Sequence, residues 1–200
     1  LSWKYRHDGT LENWQMKSRD EFHVADVNGD NVDDIYITNL DQWCCEYLWM
    51  GRSDGQRFRW VERYTDDAPD DFQTGWAMRD NDQFYVADVN GDGFDDLVIF
   101  NRLDWNDDYI AILRNDERNN KRQLTYVSLQ GDVLGGWRLS DGDRILIGNF
   151  NGGSGWSDIF IRNSSWFGLM RSRGASFTLD AIYPNWITDV RHHEFGWWDG

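Results

Sequence analysis

The sequence predicts an all-β fold made of three repeated four-stranded antiparallel units. The first observation is an acidic nine-residue segment at 26–34 that recurs at 88–96, with a degenerate third copy at 149–158. The copies start 62 and 61 residues apart, and β-branched and aromatic residues flank each of them. The second observation is that the chain has only 2 Pro and no convincing helical period. Four-stranded units that recur in this way are typical of β-propeller blades, which bury their faces only against neighbouring blades.

Each unit is predicted to contain four strands separated by turns rich in Gly, Asp and Asn. The units span about 14–75, 76–136 and 137–186, and residues 1–13 and 187–200 are assigned to a flanking or composite blade. The charged segment Arg114–Arg122 is interpreted as a solvated hairpin loop. The predicted strands of the three units, in order, are Phe22–Val27, Ile35–Asn39, Tyr47–Gly51 and Phe58–Arg63; Phe84–Val89, Leu97–Asn101, Tyr109–Asn115 and Leu124–Leu129; and Ile145–Phe150, Ile159–Asn163, Phe167–Ser172 and Phe177–Ile182.

The acidic segment of the second unit has the chemistry of a cation site. Its oxygen-bearing side chains alternate at Asp88, Asn90 and Asp92, and a loop that curls at its glycines brings them around one point. The carbonyl of Phe94 and the carboxylate of Asp96 can supply further oxygens to Ca²⁺, which takes about six to eight. The alternative is an acidic surface turn, but carboxylates packed so closely repel one another unless a cation is present.

An EF-hand begins in the same way and is the obvious rival. That loop requires a bidentate Glu at its twelfth position and a helix on each side. Counted from Asp88, the twelfth position is Ile99, and the flanking residues favour strands. The segment is therefore predicted to join two strands.

The residues 84–99 read Phe-x-Val-Ala-Asp-Val-Asn-Gly-Asp-Gly-x-Asp-Asp-Leu-x-Ile, which resembles the FG-GAP/VCBS repeats of integrin α-subunit-like β-propellers. The resemblance covers roughly residues 14–186, and it is strong in the first two units. In that family Ca²⁺ sits in the loop between the first two strands of a blade. The resemblance therefore implies two calcium sites, one in the loop 88–96 and one formed by Asp26, Asn28, Asp30 and Asp34 with the carbonyl of Val32.

The third unit departs from this pattern. Asn149 replaces the first acid, Gly153 replaces the third ligand, and the loop has one extra residue. We expect this third site to be degenerate.

Three units do not close a ring by themselves, because propellers have about four to eight blades. Two explanations stay open at this point. The chain is either part of a longer propeller or a unit that closes by pairing with another copy as a homo-oligomer.

Six of the 13 Trp residues form two sets that recur in every unit. The first set precedes the first strand by eight residues, at Trp14, Trp76 and Trp137, and packing between blades is the favoured interpretation. The second set follows the second strand, in polar loops on the face opposite the cation loops. For this set packing and ligand binding stay open, and its candidate ligand-binding residues are Trp43, Trp105, Asp107 and Trp166.

Composition excludes some partners. A formal net charge of −15, from 35 acidic and 20 basic residues, argues against nucleic acid and against an anionic membrane, both of which require a basic face. No apolar segment approaches the length that spans a bilayer. The neighbouring Cys44 and Cys45 are either a strained local disulfide or two free thiols.

We expect a binding or adhesion module that is extracellular, either secreted or on the cell surface, and not an enzyme. None of the 4 His accompanies a nucleophile motif, and His23 is expected to be packed or solvated. The leading hypothesis is a calcium-stabilised module that recognises a glycan through the Trp-rich face. The alternatives are an assembly module that contacts extracellular proteins, and the accessory domain of an extracellular enzyme.

Overall fold

The computed structural model describes residues 10–11, 14–40, 46–55, 57–65, 78–79, 81–101, 108–118, 121–131, 133–152 and 155–184. Within these ranges the chain is all-β, with sixteen strands and no helix. The predicted fold class is confirmed at this level.

Twelve of the strands form three four-stranded antiparallel sheets, and in each sheet the strands neighbour one another in chain order. The first sheet contains β3 (Glu21–Ala25), β4 (Asp34–Asn39), β5 (Tyr47–Ser53) and β6 (Phe58–Thr65). The second contains β7 (Gln83–Ala87), β8 (Asp96–Asn101), β9 (Tyr109–Arg118) and β10 (Lys121–Gly131). The third contains β13 (Arg144–Gly148), β14 (Asp158–Arg162), β15 (Trp166–Ser172) and β16 (Phe177–Pro184).

Two short hairpins precede a sheet. The first pairs β1 (Thr10–Leu11) with β2 (Trp14–Gln15), and the second pairs β11 (Val133–Leu134) with β12 (Trp137–Arg138). The second hairpin buries Leu134 and Trp137 between the second and third sheets.

The predicted strands are found in all three units, with ends that shift by a few residues. The interpretation of Arg114–Arg122 as a loop is wrong, because β9 and β10 pair as far as Arg118 and Lys121. Antiparallel neighbours continue a hairpin as long as backbone hydrogen bonds form, and the charged residues here do not interrupt that pairing.

The sheets stack face to face, so that residues of one strand alternate between two cores. In β8, Leu97 and Ile99 pack towards the first sheet, whereas Val98 and Phe100 pack towards the third. Burial on both faces explains why the strands of the second unit are apolar without a polar alternation. The first strands of successive sheets are neighbours, β3 beside β7 and β7 beside β13.

The first and third sheets each have one face that no other four-stranded sheet covers among the described residues. On the first sheet this face carries Ile35, Ile37, Trp49 and Trp60. On the third sheet it carries an aromatic row in which Phe150, Phe160, Phe167 and Tyr183 follow one another with ring centroids 6.2, 5.6 and 5.1 Å apart. We call these the leading face and the trailing face.

Candidate metal loops and ligand-binding face

The first acidic loop, between β3 and β4, is wound around the carboxylate of Asp26. Its Oδ1 accepts the backbone N–H groups of Gly29 at 2.7 Å and Asp30 at 3.2 Å, and its Oδ2 accepts that of Asn31 at 2.8 Å. Gly29 and Asn31 have φ angles of 73° and 61°, in the left-handed region that Gly and Asn tolerate best. Gly and Asn suit these two positions because the turn requires a left-handed backbone conformation at both.

The second acidic loop, between β7 and β8, repeats this geometry around Asp88. Its Oδ1 accepts the N–H groups of Gly91 at 2.7 Å and Asp92 at 3.2 Å, and its Oδ2 accepts that of Gly93 at 2.9 Å. Asp92 Oδ1 then accepts the N–H of Phe94 at 3.0 Å, as Asp30 Oδ1 accepts that of Val32 at 2.9 Å in the first loop.

The last acid of each motif points into the protein and is fully buried. Asp96 Oδ1 accepts the N–H of Asn115 at 2.7 Å, and its Oδ2 accepts that of Val89 at 3.0 Å. Asp34 does the same with Ser53 at 2.6 Å and Val27 at 3.2 Å. These acids clamp the start of the acidic loop to the third strand of their own sheet. Sequence reasoning assigned both carboxylates to the cation and missed the clamp.

Burial influences the pKa of Asp34 and Asp96 more than the hydrogen bonds that these two acids accept. It raises the pKa of Asp96 to about 8, although the hydrogen bonds from Asn115 and Val89 act in the opposite direction. Burial likewise raises the pKa of Asp34, against the hydrogen bonds that it accepts from Ser53, Asn28 and Val27. A nearby cation would favour the charged form of either group.

The donor set of both loops fits a hard cation chemically. Asp26, Asn28 and Asp30 in the first loop present oxygens on partly or fully exposed residues, as Asp88, Asn90 and Asp92 do in the second. The carboxylates keep acceptor capacity, because two oxygens together offer about four lone-pair sites. In the part of the chain that is described, no three His, Cys, Asp or Glu side chains are grouped in a way that could hold a metal ion. The calcium sites therefore stay a prediction.

The third loop keeps only part of the pattern. Asn149 Oδ1 accepts the N–H of Gly152 at 2.9 Å, and Asp158 Oδ1 accepts that of Ser172 at 3.0 Å. Gly153, which replaces the third ligand, lies outside the described residues. The inner clamp thus survives where the candidate ligands of the loop are lost.

Successive acidic loops are bonded to one another, which sequence reasoning did not foresee. The N–H of Asp95 donates to the carbonyl of Asp26 at 2.8 Å, and the Asp95 carboxylate accepts the N–H of Asp26 at 2.7 Å. The N–H of Ser157 donates in the same way to the carbonyl of Asp88 at 2.8 Å. Of the acid pair Asp95-Asp96, one residue faces inward and the other reaches the preceding loop, a division that the sequence does not show.

The opposite end of each sheet contains a second repeated carboxylate, which sequence reasoning also missed. Asp82 directly precedes β7 and accepts from Asn101 Nδ2 at 2.8 Å and from the Tyr109 hydroxyl at 2.5 Å. In the third unit Asp143 precedes β13 and accepts from Asn163 Nδ2 and Trp137 Nε1, both at 3.0 Å. The constant position of an Asp immediately before the first strand was the available signal.

In the first unit the equivalent position is Asp20, whose carboxylate accepts hydrogen bonds from Asn39 Nδ2 and the Tyr47 hydroxyl. A cavity of about 280 Å³ lies beside it, and its lining is mostly polar: Ser18, Arg19, Asp20, Glu21, Thr38 and Leu40. His23 lies nearby, bonded to the Thr38 hydroxyl at 2.9 Å, and burial lowers its pKa. Of the two expectations for His23, packed or solvated, the structure shows a half-buried ring that lies 6.0 Å from the ring of Phe84.

The two Trp sets differ in solvent exposure in the third unit, where one member of each set can be compared. Trp137 is 4% exposed, whereas Trp166 is 46% exposed at the start of β15. The Asn163 side chain positions Trp166 by accepting its backbone N–H at 2.9 Å. Packing is confirmed for Trp137. Trp43, Trp105 and Asp107, like Trp76, Cys44 and Cys45, lie outside the described residues.

Trp166 and the acidic loops lie at opposite ends of the third sheet. The acidic loop 149–158 enters β14 at Asp158, and the chain leaves β14 at Arg162, four residues before Trp166. The predicted division into a loop end and a Trp end therefore holds for this sheet. Among the described residues, no helix is long and apolar enough to cross a membrane.

No family model matches the chain, and no curated protein matches it. Among solved structures, it is similar to a lectin of Agrocybe aegerita that recognises non-reducing terminal N-acetylglucosamine. The two chains are 14% identical with a TM-score of 0.41, over 86% of this chain and 55% of the lectin chain. The chain thus spans about half of the length of that lectin chain.

Proposed function

We propose that this chain is a calcium-stabilised β-propeller module that binds carbohydrate outside the cell. The observation that carries the proposal is the contrast between the two Trp sets. Trp137 is buried in the core. Trp166 is exposed to solvent in a polar turn, at the end of the sheet that lies away from the acidic loops. An indole held in this way is available to a ligand.

The propeller arrangement is supported by how the sheets pack. Each sheet is a four-stranded meander, successive sheets stack face to face, and their first strands lie together. A meander that buries both faces against copies of itself is the packing of propeller blades. The FG-GAP/VCBS resemblance of the acidic loops points to the same arrangement.

Calcium would serve as a structural ion in the first two loops. Asp26, Asn28, Asp30 and the Val32 carbonyl would hold it in the first, and Asp88, Asn90, Asp92 and the Phe94 carbonyl in the second, with Asp34 and Asp96 as the innermost acids. The ion would neutralise carboxylates that otherwise repel. Extracellular calcium modules bind at about 10⁻⁴–10⁻³ M, which suits a calcium-rich medium and an acidic chain.

Carbohydrate is the ligand class that suits the Trp end of the sheets, which lies opposite the acidic loops. An indole face covers the apolar C–H face of a pyranose. Amides donate to and accept from its hydroxyl groups, and carboxylates accept from them. Trp166 follows the polar residues Asn163, Ser164 and Ser165 directly. The aligned Trp43 and Trp105 would offer equivalent positions in the other two units.

A glycan array, followed by titration of the best glycan with tryptophan fluorescence, tests this function. We expect a saturable change in emission, and Trp166→Ala should weaken binding roughly tenfold, equal to about 1.4 kcal/mol. Tyr183→Ala is the matched control, because this exposed aromatic residue lies on the trailing face rather than in the turn. No binding to any glycan would contradict the function, and full affinity of Trp166→Ala would remove this residue from the site.

A second candidate is an assembly module that contacts protein. The observation that favours it is the exposed apolar surface at both ends of the stack of sheets, which includes Phe22, Val24, Leu146 and Tyr183. Exposed apolar patches mark interaction sites more often than chance.

A further inference from the structure

A single buried carboxylate joins the core Trp of the third unit to the turn that carries the exposed Trp. Asp143 is fully buried, and its Oδ2 accepts hydrogen bonds from Trp137 Nε1 at 3.0 Å and from the backbone N–H of Ser140 at 2.9 Å. Its Oδ1 accepts from Asn163 Nδ2 at 3.0 Å. The two oxygens of this carboxylate therefore serve different neighbours, one on the side of the core and one on the side of the turn.

The side-chain amide of Asn163 holds the turn together. Its Oδ1 accepts the backbone N–H groups of Ser165 and Trp166, both at 2.9 Å. The backbone N–H of Asn163 also donates to the carbonyl of Trp166 at 2.9 Å. The amide is thus used at both of its ends, with the oxygen on the turn and the NH₂ group on Asp143.

The orientation of this amide follows from the chemistry of Asp143. An ionised carboxylate only accepts hydrogen bonds, so it pairs with the NH₂ group of Asn163 and not with the amide oxygen. The amide oxygen is thereby directed to the two N–H groups of the turn. Asp143 therefore determines which end of the Asn163 side chain faces the turn.

The second unit shows a different use of the equivalent carboxylate. Tyr109, the first residue of β9, is fully buried and donates its hydroxyl to Asp82. The first unit has the same arrangement at the start of β5. In the third unit the first residue of β15 is Trp166, which is 46% exposed, and the Trp137 indole donates to the carboxylate. The third unit thus combines this carboxylate with an indole that is open to a ligand.

We infer that Asp143 is a positioning residue for the glycan site at Trp166, because it orients Asn163 and through it the turn that presents the indole. This inference rests on the proposed function, which makes Trp166 the residue that contacts the sugar. Ordering a mobile side chain on binding costs free energy, and a turn that is ordered beforehand avoids part of that cost. The buried carboxylate supplies this order before a ligand arrives.

An exchange of Asp and Asn between the two positions tests the inference. In Asp143→Asn, the amide oxygen at position 143 keeps the hydrogen bonds from Trp137 and Ser140, so its NH₂ group faces that of Asn163. Asn163 must then turn its own oxygen towards position 143, and the turn loses its acceptor. In the double variant Asp143→Asn/Asn163→Asp, the amide at position 143 donates and the carboxylate at position 163 accepts on both sides. The double variant therefore preserves the hydrogen bonds, with one donor and acceptor reversed.

Titration with the glycan that the parent chain binds best gives the first readout. We expect Asp143→Asn to bind roughly tenfold more weakly, and the double variant to bind within about twofold of the parent. Weakened binding that the double variant does not restore would overturn the inference, because a loss of stability alone has no reason to be repaired by a second substitution in the turn.

A second readout requires no glycan. In NMR spectra of isotope-labelled protein, the indole N–H signal of Trp166 is assigned by its absence from Trp166→Ala. This signal should shift in Asp143→Asn and return in the double variant, whereas the indole signal of Trp137 should stay, since its acceptor at position 143 is kept. Asp82→Asn is the matched control, because it makes the same change at the carboxylate of the second unit and should leave the Trp166 signal in place.

The two readouts separate this inference from the proposed function. A parent chain that binds no glycan contradicts the proposed function, while the Trp166 signal still decides whether Asp143 positions the turn. An unchanged Trp166 signal in folded Asp143→Asn would overturn the inference. If circular dichroism shows that Asp143→Asn does not fold, a folded double variant with the parent signal supports the inference, and a double variant that also fails to fold overturns it.

Discussion

At the scale of single residues, the acids of the repeated motif divide into two kinds that look identical in sequence. Asp92 is exposed and its hydrogen bonds stay within the loop, to Phe94 and Asn90. Asp96 is fully buried and holds the start of its loop against the third strand through the N–H groups of Val89 and Asn115. The first kind is suited to a cation, and the second is part of the fold whether or not a cation binds.

Asn substitutions at these two positions distinguish the kinds. At pH 4 in EDTA, where the raised pKa keeps Asp96 protonated in the folded protein, Asp96→Asn should destabilise the protein by about 1–3 kcal/mol, because the amide NH₂ group cannot accept one of the two buried N–H groups. Asp92→Asn should change stability by less than about 0.5 kcal/mol under the same conditions, since an exposed side chain is altered. Urea unfolding measures both, and equal effects of the two substitutions would contradict this division.

The raised pKa of Asp96 predicts a pH dependence of stability. Burial raises this pKa to about 8 from 3.8, so the folded protein holds the proton more tightly than the unfolded chain does. The stability from this group is present below about pH 4 and is lost as the pH rises to about 8, by up to about 1.4 kcal/mol per pH unit. Urea midpoints of the parent and Asp96→Asn between pH 4 and 9 measure it. Parallel profiles would show that Asp96 is not responsible.

At the scale of elements, the third strand of one sheet is tied to the loop of the preceding unit. Ser53 and Ser172 occupy equivalent positions, and the hydroxyl of each accepts a backbone N–H two residues later at 3.1 Å. Only Ser172 also donates to a carbonyl of the preceding unit, that of Val89. The two residues therefore form a natural pair for measuring this tie.

Ser172→Ala should destabilise the protein by about 1–3 kcal/mol, because the buried carbonyl of Val89 loses its donor. Ser53→Ala should cost less than about 0.5 kcal/mol. Both are measured by urea unfolding at the same protein concentration. Similar losses at the two positions would mean that the bond to Val89 adds nothing.

The elements were also the part of the fold that the sequence predicted best. The strands could be located because apolar and aromatic segments such as Leu97–Asn101 are bounded by repeated Gly- and Asp-rich turns. The segment Arg114–Arg122 was expected to be a hairpin loop, but its two strands pair as far as Arg118 and Lys121. The backbone groups of charged residues can continue the pairing once two strands lie side by side.

The candidate site was predictable only in part. The curl of the loops around Asp26 and Asp88 follows from alternating oxygens and permissive glycines, and the exposed and buried Trp sets follow from their neighbours. The inward direction of Asp34 and Asp96 does not, because sequence alone gives no signal for which acid faces the backbone donors of another strand. The bond between Asp95 and Asp26 depends on how two units dock, which becomes visible only when the sheets are stacked.

At the scale of the whole molecule, stability is distributed over a stack of similar sheets. Each inner interface combines apolar burial between sheets with hydrogen bonds between loops. The acidic loops lie at the junctions, so an ion bound in a loop, as proposed, would stabilise its own turn and the contact with the next unit together.

Thermal unfolding in 10 mM Ca²⁺ and in EDTA tests this most directly. With dissociation constants of about 10⁻⁴–10⁻³ M, each site should add about 1.4–2.7 kcal/mol, and the two together should raise the melting temperature by several degrees. Asp92→Asn should lower the increase by weakening the second site, with Asp116→Asn as a control outside the loops. The same melting temperature in Ca²⁺ and EDTA would contradict the account, leaving the acidic loops as turns held only by their own hydrogen bonds.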